Sequence, residues 1–588
     1  MHKSAFLLLT GMLGLALTGC AGMIEDRASE PAAGEQTPVS TVKTAEPGEL
    51  PESGAGYGEF EPETLYLLLA AEIAAQRGRY DVTLVNYVEA AMQSRDSGVI
   101  ERAMRIAQSL NADNAQRQLS ELWLETDPDN LEAHRVAAIQ QIKKNNLEAA
   151  LQHMETILDL GGDADFDSLA AMAANLPPDD QQELLGLYQA LEDRHPENLE
   201  IQYSIALLLK VTGKPGKALE QLNPLLAEHP DFQPGLVLKG DLLYETGEKQ
   251  EALRHLLQNT RRYPDNRQMG TLYARMLIGE GEFQAAQDEF ARLIERFPEV
   301  PGLKLSHALV ALENGETGVA REDLTRLIEQ GHHVNAAHYY LGRIAQEAGN
   351  IENAIEYYQK VEEGRHFLPA LERLSALRVE TGRVDEAREA VAELRKRNPD
   401  RAETFWLIEI NLLLDADRRE EALAAANEAL ESYPDNIRIL YARAMLLDSL
   451  GQLDAAERDL RRIIKLQPDN AVALNALGYI LTTRTDRLEE ARDLIERALR
   501  IDPDNPAILD SMGWVLFQQG ETDRAIDYLR RAYEAFPDPE VAAHLGEALW
   551  VDGQQEQARI IWRRAMEENP EDELIPETIE RLQVEMTQ

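Results

Sequence analysis

Cysteine is nearly missing from this chain: there is one thiol, Cys20, in 588 residues. That count alone excludes a disulfide framework within the chain and any multi-cysteine zinc site. Basic residues are scarce relative to acidic ones. Lys plus Arg is 59 and Asp plus Glu is 104, so the formal net charge is 59 − 104 = −45. Phosphate contacts need a basic face, so this balance argues against nucleic acid as a partner, and equally against attraction to anionic lipid. Long apolar runs are missing too. Beyond the first twenty residues no segment reaches the roughly 18 uncharged apolar residues that a bilayer-spanning helix needs. The chain does have 44 % apolar residues, enough to bury a core. Its length allows about four domains of roughly 150 residues, or one long repeat array.

The first twenty residues read as an address. A basic start, Met1-His2-Lys3, precedes an apolar stretch from Ala5 to Leu17, and Leu17-Thr18-Gly19-Cys20 follows. As a helix that stretch covers about 20 Å, too short for a ~30 Å hydrocarbon core, so residues 1–19 are expected to be a signal peptide. The ending resembles the lipobox of bacterial lipoproteins, in which the cysteine is lipidated (palmitate among its acyl groups) and becomes the first mature residue. An ordinary secretory signal with an accidental cysteine is the alternative. Ala21-Gly22 follow the cysteine. In such signals an aspartate there implies inner-membrane retention, so the resemblance implies an outer-membrane anchor facing the periplasm. Residues 20–60 are rich in Pro, Gly, Glu, Ser and Thr, without apolar periodicity, and read as a disordered tether with a reach of about 35 Å.

A period of 34 residues runs through the rest. Alanines at 218, 252, 286, 320, 354, 387, 422, 456, 491, 525 and 558 recur every 33 to 35 residues, with prolines in a parallel series from Pro196 to Pro570. A second series of small residues lies twelve before the alanines: Ala206, Gly240, Ala274, Ala308, Gly342, Ser375, Ala444, Gly513 and Gly546, with Ile410 as the exception and Gly478 thirteen before. Between the two sits a turn glycine in most units, from Gly213 to Gly553. Small residues on two helices permit close backbone approach, the glycine ends the first helix in the left-handed region, and the proline stops the second. Apolar residues at helical spacing, as in Leu474, Leu477 and Leu481, fill the rest of the stripe.

This pattern resembles the tetratricopeptide repeat. It implies an all-α fold, a right-handed superhelical array (solenoid) of helix-turn-helix units. Eleven repeats are expected over 199–572, four degenerate helical units over 63–198, and a C-terminal capping helix at 573–588, since such an array must cover its last apolar face. The unit at 165 carries Pro177-Pro178, and the unit at 97 lacks both the glycine and the alanine.

Signatures of catalysis are sparse. No Gly-rich phosphate loop, G-x-S-x-G elbow or H-E-x-x-H occurs, so no catalytic residue, metal ligand set or cofactor is assigned, and the chain is read as non-enzymatic. His332, His333 and His338 are the best metal candidates. His195, His229, His332 and His366, however, fall where second helices are expected to end, where a histidine suits the negative end of the helix dipole, and His338 is at an inter-helix packing position. The acidic balance reads as a solvated face, with a negative groove for basic ligands as the alternative.

What remains is surface. The first helix of each unit should line the inner wall, and its positions 5, 9 and 12 share one face. They give Tyr203, Tyr244, Tyr339, Arg343, Tyr441, Tyr479, Trp514, Phe517 and Trp550, residue types common in binding hot spots, and a protein-binding groove is expected there. Packing between repeats is the alternative for several, and is the reading for Trp562. The Lys/Asn pair of carboxylate-clamp modules occurs in no unit; the unit from 471 has Asn475 and Tyr479 instead.

The block from Leu474 to Pro570, with …ILDSMGWVLFQQGETDRAIDYLRRAYEAFPDPEVAAHLGEALW…, is similar to large outer-membrane tetratricopeptide lipoproteins of Gram-negative bacteria, of the LbcA-like type. Those are partners of a periplasmic carboxyl-terminal processing protease. The resemblance implies an adaptor bringing peptidoglycan hydrolases to that protease. An assembly scaffold, such as a pilotin-like lipoprotein of a pilus or secretion machine, is the alternative.

Overall fold

Residues 60–585 are described by the computed structural model. The expected signal peptide, the expected lipidation site Cys20 and the expected linker up to residue 59 lie outside the described residues. Within them the chain is α-helical, with two short 3₁₀ turns and no strand. None of these helices is long and apolar enough to cross a membrane.

Each helix boundary has a local cause. After Pro196, Pro264, Pro434 and Pro468, where second helices stop, an asparagine two residues later starts the next first helix. The side chains of Asn198, Asn266, Asn436 and Asn470 accept from the backbone N–H three residues on, at 2.9–3.1 Å, satisfying a donor that the helix cannot. The turn glycines have φ between 71° and 92°. In the unit at 402 an aspartate, Asp417, takes that place at φ 56°.

The small-residue series explains the pairing of helices. A Cβ on Gly240 would lie 2.5 Å from Leu256, one on Gly342 2.6 Å from Tyr358, and one on Gly478 2.5 Å from Ile495. On Gly546 it would fall inside the Trp562 indole. The small residue on the first helix thus admits a large one on the second. The exception confirms the volume rule: where Ile410 replaces the small residue, the position sixteen later is Ala426, and both are fully buried. Interiors packed at crystal density leave no room for two large side chains or for two small ones.

Upstream units keep the hairpin and vary its filling. In the unit at 97 the sizes are reversed, with buried Met104 on the first helix and Ser120 on the second. In the unit at 165, Pro177-Pro178 limits the first helix to Phe166–Met172 and a 3₁₀ turn, and Pro178 opens the next helix. The Tyr188 hydroxyl donates to the Phe166 carbonyl at 2.7 Å and ties the two together. The second helix Ile351–Gln359 is also short, so His366 lies just ahead of the following helix, Phe367–Glu380, instead of closing a second helix as expected.

The chain divides at Glu316/Thr317 into two compact units. Each is a stack of antiparallel helix pairs in which elements touch their near neighbours in sequence, the arrangement of a solenoid. Residues 60–316 hold core clusters around Ile100 and Leu119 and around Leu222, Phe290 and Tyr188. Residues 317–585 hold clusters around Phe405 and Tyr358 and around Leu474, Leu529 and Trp562. The final helix, Leu574–Arg581, lies on the last repeat with Ile575 buried and Arg581 bonded to Glu547 at 2.8 Å.

Candidate protein-binding surface

Which helices crowd together decides which face is the inner one. Beyond residue 199 several neighbouring first helices touch directly, as Leu199–Val211 does with Gln233–Glu245 in one unit and Ala471–Arg484 with Pro506–Gln518 in the other. Upstream the pattern inverts. There the second helices Tyr80–Ser94 and Asp113–Thr126 touch, as do Leu147–Asp159 and Pro178–Arg194. The nine candidate residues all lie on first helices of the regular region.

None of the nine is an exposed side chain. Tyr203 packs edge-on against Phe232 at 5.2 Å between centroids, and burial pushes its phenol up to about 12. Tyr244 donates to Glu280 at 2.8 Å across to the next repeat, and Lys249 reaches the same carboxylate at 2.7 Å. Tyr339 stacks on His366 at 4.7 Å with Tyr340 edge-on beside it, and Arg343 pairs with Glu347 at 3.2 Å. Tyr441 is half-buried, and burial raises its phenol to about 12. Trp550 lies 6.1 Å from Trp562, with the Arg559 guanidinium 5.1 Å above its ring. Trp562 is fully buried, as its position on a second helix implies.

The densest cluster joins three consecutive first helices near the C-terminus. Trp514 is 9 % exposed and lies between His544, stacked at 4.0 Å, and Phe517 at 5.2 Å. His544 Nδ1 faces both carboxylate oxygens of Asp510 at 3.0 Å. The Tyr479 hydroxyl donates to Glu540, two repeats along, and burial holds that phenol well above its usual value. Burial likewise raises the Glu540 carboxyl. Burial alone would push the His544 imidazole down; Asp510, with Glu540 and Glu547, outweighs it, and the net direction is up. His544 and Asp510 thus form a histidine–carboxylate pair removed from water.

Of the sequence candidates, the structure therefore brings Tyr479, Trp514 and Phe517 together and leaves Tyr203, Tyr244, Tyr339 with Arg343, Tyr441 and Trp550 as separate stations along the stacks. Sequence reasoning missed Asp510, Glu540 and His544, and it placed His366 at the end of a second helix instead of against Tyr339. Asp510 and His544 are one period of 34 apart, which was the available signal. An acid and a histidine at that spacing sit on neighbouring first helices. The histidines 332 and 333 have exposed side chains, and His338 is buried beside Tyr357 at 6.1 Å. Among the described residues Asp163, Asp165 and Glu200 are the group whose carboxylates converge; two of the three are exposed.

Comparison with known proteins agrees with this architecture. Tetratricopeptide-repeat signatures match residues 203–267, 237–301, 305–365 and 441–506, and a second signature of the same repeat matches 345–406 and 483–543. A TPR repeat-containing protein of Pseudomonas aeruginosa is 43 % identical over 545 residues, covering 93 % of this chain and 90 % of that protein. Among solved structures, a thermophilic TPR protein of Thermus thermophilus is 24 % identical with a TM-score of 0.29, covering 31 % of this chain and all of its own. PilW, described as a type IV pilus biogenesis factor, is 22 % identical with a TM-score of 0.28, covering 31 % of this chain and 87 % of its own. With its repeat signatures, its stacked helix pairs and a relative matched along nearly its whole length, the chain belongs to the tetratricopeptide-repeat family, whose stacks are scaffolds for binding other proteins.

Proposed function

We propose that this chain is a non-enzymatic adaptor, anchored by a lipid on Cys20 to the outer membrane and facing the periplasm. It binds a carboxyl-terminal processing protease and presents client proteins, cell-wall hydrolases, for degradation. The single observation that carries the scaffold part of this reading is the succession of antiparallel helix pairs that makes up each of the two units, residues 60–316 and 317–585. The lipobox-like Leu17-Thr18-Gly19-Cys20 supports the anchor, and the LbcA-like resemblance of residues 474–570 supports the protease partner. Holding protease and client on one scaffold makes their encounter intramolecular, at effective concentrations up to the millimolar range for short flexible connections.

Two measurements test it. Affinity purification from detergent-solubilised membranes should bring down a carboxyl-terminal processing protease, and deleting the gene should raise cell-wall hydrolase levels. Cys20→Ala, which removes the lipidation site, should raise hydrolase levels as the deletion does. Unchanged hydrolase levels together with lost pili or a lost secreted protein would favour the assembly-scaffold alternative.

A further inference from the structure

The C-terminal end of the array has a cap, whereas the first helix among the described residues, Pro62–Gln76, presents an apolar stripe to solvent. Leu65 is 50 % exposed, Tyr66 70 %, Leu69 56 % and Ile73 49 %. Their spacing of three and four residues places them on one face of the helix.

Comparison with the later repeats identifies that face. In each of them the residue five before the small first-helix position and the residue two after it are buried, as in Ile201 and Leu208, Met269 and Met276, Ile439 and Leu446, and Ile508 and Val515. These residues lie on first helices that pack against the preceding repeat's second helix. In the first hairpin Ala71 holds the small position: it is fully buried, and Thr83, twelve later, donates to its carbonyl at 3.3 Å. The equivalent residues are then Tyr66 and Ile73, and they are exposed. The stripe is a stacking face with no repeat stacked on it among the described residues.

We propose that this face docks an amphipathic helix with a basic flank, supplied by another protein, in the place that a preceding second helix holds elsewhere in the array. Three properties select this occupant. Residues 21–60, which precede the helix once the expected signal peptide is removed, lack the apolar periodicity needed to cover the face. The helix itself carries Glu63 with Glu61 at its start and no Lys or Arg, and its Glu72 already accepts from Tyr87 and pairs with Arg102 at 3.7 Å, so a second copy would set the carboxylates of Glu61 and Glu63 against their own kind. A basic flank meets them with opposite charge, and an acidic helix or an anionic lipid surface does not. The helix is 15 residues, about 22 Å, so a partner helix of similar length covers it. This surface is separate from the first-helix face of the regular repeats and does not depend on what binds there.

The test uses the full chain carrying Cys20→Ser and two fluorescent amphipathic peptides, one Leu/Lys and one Leu/Glu. The Leu/Lys peptide should bind, more weakly as salt rises, and the Leu/Glu peptide should not. The pair Leu69→Ser and Ile73→Ser should weaken binding roughly tenfold or more. Val551→Ser with Ile560→Ser, apolar residues equally exposed elsewhere, should leave it unchanged. Binding that survives the Leu69/Ile73 change, or that ignores peptide charge, overturns the proposal. So does a dimer by light scattering that the same change dissolves, because a second copy would then be the occupant. Trp514→Ala, in residues 317–585, should leave the peptide affinity unaltered, which separates this result from any failure of the adaptor reading.

Discussion

Gly240 and Leu256 share one small volume, and neither tolerates change alone. Gly240→Ala should destabilise its helix pair by about 1–3 kcal/mol through overpacking. Leu256→Ala should cost about 2–5 kcal/mol through the cavity it leaves. The double variant should cost less than the sum, by about 1 kcal/mol or more, because the added methyl enters the vacated space. A double-mutant cycle read by hydrogen exchange in Gln233–Glu245 and Lys249–Arg262 measures this, and strict additivity would count against the packing account. Glu409 offers a second test. It is 2 % exposed and accepts from Arg388 at 2.8 Å and from Arg395, whose guanidinium lies 3.3 Å over the Trp406 ring. Glu409→Ala removes the carboxylate; Arg388 keeps Glu421 at 2.9 Å, while Arg395 loses its partner over Trp406, so the local loss should be about 1.5–3 kcal/mol. Denaturant unfolding of the variant, followed by Trp fluorescence, checks it.

At the scale of helices, the pair of Asp510 and His544 fastens Pro506–Gln518 to Pro539–Val551. The folded imidazole is raised above its usual value of 6.5. Its contribution is therefore complete below about pH 6.5 and disappears as pH rises through the raised folded value. Exchange protection in Pro539–Val551, corrected for intrinsic rates, should fall with pH from 6.5 upward, and His544→Gln should remove that slope. A slope unchanged in His544→Gln would assign it to another group. The terminal helix is a second element to test. Deleting residues from Leu574 on should strip protection from Gln555–Glu568 and leave Leu199–Val211 untouched, since stacked repeats couple to nearest neighbours.

The whole molecule has two compact units, each with its own core clusters. A chain so organised should not unfold in one two-state step. Its tryptophans make the test direct: Trp123 lies in residues 60–316, and Trp406, Trp514, Trp550 and Trp562 in 317–585. Fluorescence therefore weights the C-terminal unit, and circular dichroism weights both. The two urea curves should differ in midpoint or slope, and coincident curves would show a single cooperative unit.

The period, the boundaries and the helix pairing were legible in the primary structure because they are local. The small residue, the turn glycine, the proline and the capping asparagine each act within a few residues of their own position, and the 34-residue spacing repeats that code. Even the exception at Ile410 could be read, once Ala426 was seen sixteen later. Other features needed the packed stack. The division at Glu316/Thr317 has no mark in the repeat pattern. The aromatic positions 5, 9 and 12 were identified by helical phase, but phase alone could not tell an open wall from one filled by Tyr479, Trp514 and His544. The partner of Tyr479 is Glu540, two repeats away, and the neighbour that Tyr66 lacks is a whole helix. A periodic sequence determines how each hairpin folds; which faces stay open depends on how successive hairpins are turned against one another, and that angle is the sum of many small side-chain volumes that only the tertiary structure adds up.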